Sequence, residues 1–266
     1  MFPFDLQHTT IVENGYNLYY SLQRYQDDPD IDLFYSVLTG QASEDVYYEE
    51  KKLLKDLQGV CEQVDIMQHQ KLTGSISKQE FQTAVGEFYE DKAKKEIDML
   101  WIALEKDMKG PVVKYKALFE DDKDLNQSEF AEVMRKQHLN NRKLYLSQLE
   151  DALMEVAQDD HVSIGDMRRA ILQVDPAKDE DDLREMIARG TRVPYEDLFS
   201  ADTFKRDGIT MVPLQFFMKN LKEVTGVQRI NSKRERNRVN AAVNKLFPAS
   251  ARATVFPGRT NSQKNV

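Results

Sequence analysis

The chain has 266 residues, 31% of them charged, and a formal net charge of −8. Glycine and proline are scarce, at 11 and 8 residues, which disfavours a strand-rich sandwich and suits a helical protein. No apolar run approaches the roughly 18 residues of a membrane span, and the N-terminal MFPFDLQHTT lacks the basic flank and apolar core of a secretory signal. One cysteine, Cys61, excludes an internal disulfide, so a reducing, cytoplasmic compartment is expected. The charge is unevenly placed. From Gln228 onward nine Lys or Arg stand against the single acid Glu235, a tail of about +8 on a body of about −16.

Residues 1–27 are aromatic and polar without clear periodicity and read as an extended N-terminal arm, with a short helix around Tyr16 to Tyr25 as the alternative. Asp28-Pro29 opens a helix, DIDLFYSVL, that stops at Gly40. Ser43 can cap a long helix from Glu44 to about Asp65, whose apolar positions Val46, Leu53, Leu54, Leu57, Val60, Cys61 and Val64 recur at three and four residues. A loop, HQKLTGSISKQEF, feeds a helix ending near Tyr89, and a further amphipathic helix covers Lys94 to Glu105. Gly110-Pro111 breaks it. EDDKDLNQ is a polar linker, after which Ser128 can cap SEFAEVMRKQ.

The second half repeats the plan. Helix RKLYLSQLEDALMEVA leads into QDDHVSIGDMRRAIL, and Asp179 to Arg189 is another short helix. A weaker unit, ADTFKRDGITMVPLQFFMKNL, follows before the polar, basic tail. Across the halves one pattern recurs 80 residues apart. GPVVKYKALF (Gly110 to Phe119) and GTRVPYEDLF (Gly190 to Phe199) share Gly-x-x-Val-x-Tyr-x-x-Leu-Phe, a short β-like stretch running into the apolar start of a helix. Repetition of such a half-motif points to paired helix–loop–helix hands.

These residues resemble the EF-hand superfamily, with calmodulin-like pairing, over roughly Glu44 to Leu221. The resemblance implies twelve-residue loops with oxygen ligands, a Gly at the sixth position, a β residue at the eighth and a bidentate Glu at the twelfth. On that register hand one has Gly74, Ile76, Glu80 and Phe81 in the structural positions, but His69, Lys71 and Thr73 where ligands belong. Hand two centres on Val113 and places Lys106, Met108, Gly110 and Ala117 at ligand positions. Hand three centres on Val162, with Glu155, Ala157, Asp159 and Asp166. Hand four centres on Val193, and a partial fifth carries Lys205, Arg206 and Pro213. Ile76 and Val113 lie 37 residues apart, Val162 and Val193 31 apart, spacings that fit one helix pair each. The scaffold is retained while the ion ligands are lost, since a hard cation needs oxygen donors.

The fold class is therefore all-α: two EF-hand-like pairs with short paired β segments, a partial fifth hand and extended termini. The expected domains are an arm at 1–27, a helical lead-in plus first pair at 28–125, the second pair plus partial hand at 126–226, and a flexible basic tail at 227–266. No catalytic site is expected: there is no phosphate loop, Ser elbow or dinucleotide fingerprint, and the four scattered histidines form no zinc pattern. No cofactor is expected either; the alternative is Ca²⁺ or Mg²⁺ held weakly at the third loop by Glu155, Asp159 and Asp166. In the tail, Lys233, Arg234, Arg236 and Arg238 precede an apolar face, Val239, Ala242, Val243 and Leu246. A solvated tail and a partner contact both fit, and nucleic acid is disfavoured by the acidic body. The function expected from the resemblance is a calcium-independent adaptor in a larger assembly, with tubulin, microtubules or axonemal proteins of a cilium as candidate partners. A Ca²⁺/Mg²⁺ sensor and a regulatory subunit of an enzyme are the alternatives.

Overall fold

The structure, a computed structural model, describes residues 4–89, 92–120, 128–194, 196, 211–224 and 242–247. It is mainly helical, with two small two-stranded sheets. Contacts divide the chain into two units, Met1–Glu49 with His138–Asn231, and Glu50–Gln137 with Ser232–Val266. This differs from a sequential division near residue 125, because the lead-in groups with the second half.

In the first unit, α1 (Phe4–Arg24) replaces the expected extended arm. No proline interrupts these residues, and Tyr16 stacks on Tyr20 one turn on, their ring centroids 6.4 Å apart. Leu22 is buried, and the Tyr19 and Tyr35 rings meet at 5.5 Å with Tyr35 Oη donating to Tyr19 Oη at 3.0 Å. Helix α2 (Pro29–Leu38) starts as the sequence predicts, with Asp28 accepting from the amides of Asp30 and Ile31.

Helix α3 (Asp45–His69) begins in the first unit and continues in the second. There β1 (Ile76–Ser77) leads into α4 (Lys78–Phe88), α5 (Lys94–Asp107) leads to β2 (Val112–Val113), and α6 (Tyr115–Phe119) follows. β1 and β2 pair antiparallel with Ile76 opposite Val113. The apolar stripe of α3 packs with Phe81, Val85, Phe88, Leu100, Leu104, Tyr115 and Phe130 in one buried cluster. Cys61 lies within it, and burial pushes its thiol well above the ordinary range.

Helix α7 (Glu129–Val156) runs unbroken where the sequence suggested two helices. Neither glycine nor proline interrupts those 28 residues. Ser128 caps its start as expected, and Asp107 at the end of α5 adds a carboxylate that accepts from the amides of Glu129 and Phe130 at 3.1 and 2.8 Å. The later part of α7 belongs to the first unit with β3 (His161–Val162), α8 (Ile164–Val174), α9 (Glu180–Thr191), β4 (Val212–Pro213) and α10 (Leu214–Lys222).

Here the pairing expected from the repeat is corrected. Val162 faces Val212, not Val193. The second copy of the motif does not repeat the first: Gly190 and Thr191 lie inside α9, Arg192 ends it in the left-handed region, and residues 195 and 197–199 lie outside the described residues. The reason is packing. A Cβ built on Gly190 would stand 2.3 Å from Phe217 Cε2 and 2.7 Å from Cδ2, so glycine lets α9 approach α10. Asn220 Nδ2 donates to the Gly190 carbonyl at 2.8 Å and secures that approach.

The two motif glycines should therefore respond unequally to the same change. Gly190→Ala is expected to destabilise the protein by about 1–3 kcal/mol through overpacking. Gly110→Ala, where a Cβ meets nothing within 4 Å, should stay within about 0.5 kcal/mol. Urea denaturation of both variants checks this; equal effects would remove the packing explanation.

Candidate functional site

The first loop is organised around a carboxylate. Asp65 sits one turn before the end of α3 and is fully buried. Its Oδ2 accepts from the amides of Thr73 and Gly74, both at 2.7 Å, and from Tyr115 Oη at 2.8 Å. Its Oδ1 accepts from Thr73 Oγ1 at 2.7 Å and faces His69 Nδ1 at 2.9 Å. Gly74 makes this possible: at φ +78° it holds its amide toward Asp65 in a conformation that side-chain-bearing residues rarely adopt. Burial raises the Asp65 pKa, but the bonds from Thr73, Tyr115 and Gly74 outweigh it and hold the carboxyl at about 2. Burial beside Asp65 pushes the Tyr115 phenol well above its ordinary value, so it stays a donor.

The loop thus converges its donors on an anion belonging to the protein. Glu80, which the sequence register had expected as the last residue of a loop, accepts from Ser77 N at 2.8 Å while Ser77 Oγ accepts from Glu80 N, a capping box at the start of α4. In the second loop Lys106 pairs with Glu129 at 3.2 Å.

The third loop is short. Asp159 and Asp160 occupy left-handed conformations at φ 49° and 60°, and Gln158 and His161 exchange backbone hydrogen bonds across them at 2.9 Å. These two acids form a tight hairpin turn. Asp166 is drawn into a cap, its Oδ2 accepting from Ser163 Oγ at 2.6 Å and its Oδ1 from Arg169. Although burial opposes it, the bonds from Ser163 and Arg169 hold the Asp166 carboxyl below its ordinary value. Glu155 lies in α7. Among the described residues no group of three or more metal-ligating side chains, these included, could hold an ion.

Of the tail residues singled out from the sequence, Lys233, Arg234, Arg236, Arg238 and Val239 lie outside the described residues. Val243 and Leu246, named from the sequence as partner-binding candidates on one helical face, lie within the described residues. Residues 242–246 are helical, Ala242 and Val243 are buried, and Leu246 and Phe247 pack on the second unit's core. Lys245 Nζ lies 3.3 Å from Glu87 Oε2. Their three- and four-residue spacing was the available signal; which surface it would meet was not.

The first unit carries a cleft of about 320 Å³ lined by Asp32, Lys143, Arg142, Glu150 and Lys222 among others, with neither histidine nor cysteine in the lining. Lys143 pairs with Asp32 at 3.2 Å. Arg142, missed by the sequence reading, is buried, and its Nη2 donates to the carbonyls of Lys222 and Val224 at 2.9 and 3.0 Å. It closes the negative end of α10. Burial lowers its pKa, partly offset by Glu49. No helix among the described residues is long and apolar enough to cross a membrane.

Comparison with known proteins gives two distant relatives. The chain is 23% identical to mouse Translin-associated factor X-interacting protein 1 over 212 residues, and 20% identical to the human protein of that name over 219. These alignments take in 78% and 81% of this chain but 29% and 32% of the relatives, so the chain spans about a third of their length. No protein-family model and no solved structure matches.

Asp65→Asn should cost about 2–4 kcal/mol at neutral pH, since an amide cannot accept from all these donors and brings its own. Because the folded carboxyl titrates at about 2, its contribution is full above the unfolded value near 4 and fades as pH falls toward about 2. The stability gap between wild type and variant should therefore narrow through that window. Acid titration followed by circular dichroism measures it, and a gap independent of pH would refute the assignment.

Proposed function

We propose that this chain is a non-enzymatic adaptor of EF-hand-like build that holds protein partners without calcium. The observation that carries the reading is Asp65: five contacts from loop and neighbouring groups converge on it, so the first loop has an internal anion in place of a bound cation. A folded loop whose donors already meet a buried carboxylate has no need of an ion to close it. The antiparallel register of Ile76 on Val113 and of Val162 on Val212 supports a build of two pairs, with the weaker fifth unit, not the Val193 hand, completing the second.

Two mammalian relatives are named as interacting proteins of Translin-associated factor X, which supports a protein-binding role and makes that factor the first partner to test. A cytoskeletal or ciliary setting, with tubulin or axonemal proteins as neighbours, rests on the resemblance of ion-free hands to components of such assemblies.

Calorimetric titration of the full chain with Ca²⁺ and Mg²⁺ should give no saturable heat at micromolar concentrations. A micromolar isotherm that disappears in Asp159→Ala with Asp166→Ala would replace the adaptor by an ion sensor. Binding is measured separately, with purified Translin-associated factor X and with polymerised tubulin, alongside crosslinking mass spectrometry in native extract. A chain that binds neither and crosslinks to no protein would sink the adaptor reading.

A further inference from the structure

Helix α1 carries an apolar stripe of which only one end is covered. Ile11, Val12, Gly15, Tyr19 and Leu22 share one face at helical spacing, with Tyr16 and Leu18 at its edges. Helix α2 meets the later end, where the Tyr19 ring packs on Tyr35 and Leu22 is buried. The earlier end is bare. Of residues 10–24, thirteen are exposed, Ile11 at 70% and Tyr16 at 61%, with Val12 and Leu18 among them. A Cβ on Gly15 would meet nothing within 4 Å. Helix propensity does not account for order here, because Gly15, the β-branched Thr10, Ile11 and Val12, and the tyrosines are weak helix formers. Helices of this kind are held mainly by what packs on their apolar face.

In a chain that is 31% charged, residues 10–23 hold one charge, Glu13, which the helical period puts on the side away from the stripe. A charged surface set against this stripe would bury its charges unpaired. A second copy brings the same uncharged stripe, so two chains of net charge −8 meet where each is least charged. Antiparallel pairing about residue 13 sets Ile11 of each copy over Gly15 of the other, large on small, with the helix dipoles opposed. Ile11, Val12, Tyr16 and Leu18 offer roughly 400 Å² a copy. At an apolar share of roughly 60%, a symmetric pair would bury about 1,300 Å², inside the roughly 1,200–2,000 Å² of a stable interface.

We propose that the bare end of α1 is a homodimer interface, in which two copies of this chain pair through antiparallel α1 helices about a two-fold axis. The pairing goes beyond the adaptor reading and does not depend on it.

Light scattering on the full chain over a micromolar concentration series should show the mass rise from 30.9 kDa to twice that value. Ile11→Asp with Leu18→Asp should weaken dimerisation at least about a hundredfold, since each dimer would bury unpaired carboxylates. Gly15→Leu provides a variant that a folding defect cannot mimic. Its side chain has open space in the single chain and favours the helix, so circular dichroism should show undiminished helix, while the crowded crossing weakens dimerisation at least about tenfold. Under oxidising conditions, Ile11→Cys chains mixed with Gly15→Cys chains should form the mixed disulfide faster than either forms its own. A chain that stays at 30.9 kDa throughout, or a dimer that both the Asp and the Leu variants leave unchanged, would overturn the proposal. So would faster self-disulfides, which exclude the antiparallel pairing. Binding of single chains to neutral phospholipid vesicles, lost in the Asp variant, would instead give the face to a membrane. Dimerisation is scored on the chain alone, so its outcome is separate from that of Translin-associated factor X binding.

Discussion

A single buried carboxylate organises the second unit. Asp65 binds the end of α3 to the loop at Thr73 and Gly74, and through Tyr115 to the start of α6. Those three places lie next to the β1–β2 pair, where Ile76 meets Val113. A charge in a closed interior is tolerated only when its lone pairs are met, and here five contacts within 2.9 Å meet them. The sign of the arrangement matters more than its strength. Backbone amides and hydroxyl protons directed inward favour the ionised form of that carboxylate.

The first unit reaches a comparable strand pair by other means. Its turn is tight, two left-handed acids at 159 and 160, with Leu214 N donating to the Asp160 carbonyl at 2.8 Å where α10 begins. Helices α9 and α10 pack through Gly190, where Phe217 fills the space a side chain would need. Arg142 then closes the carbonyl end of α10. Two copies of one sequence pattern thus serve two physical ends: around Gly110 a strand start, around Gly190 a close helix crossing.

Much of the local structure was legible. Helix starts at Asp28, Ser128 and Asp179, the stop at Gly40 and the stripe of α3 follow from interactions within a few residues of one another. The β positions Ile76, Val113 and Val162 came from the register that the resemblance implies, Val113 also from the repeated Val-x-Tyr. The partner of Val162 was not legible. Val193 and Val212 both fit a strand by composition, and the motif favoured the wrong one because it reported a glycine without reporting what the glycine faces. The same limit applied to the tail, where periodicity revealed an apolar face at Val243 and Leu246 but not the core that receives it.

By itself, then, the amino-acid order determined a helical chain, with its helix starts and stops and the charge along it. These depend on backbone propensity, capping and charge, all settled over one or two turns. Only the tertiary structure decided which strands pair, which glycine is needed for contact, and where the loop's donors go. Asp65 and Tyr115 are 50 residues apart, and no local rule links them. Their bond exists because folding removes both from water and leaves each as the other's best partner.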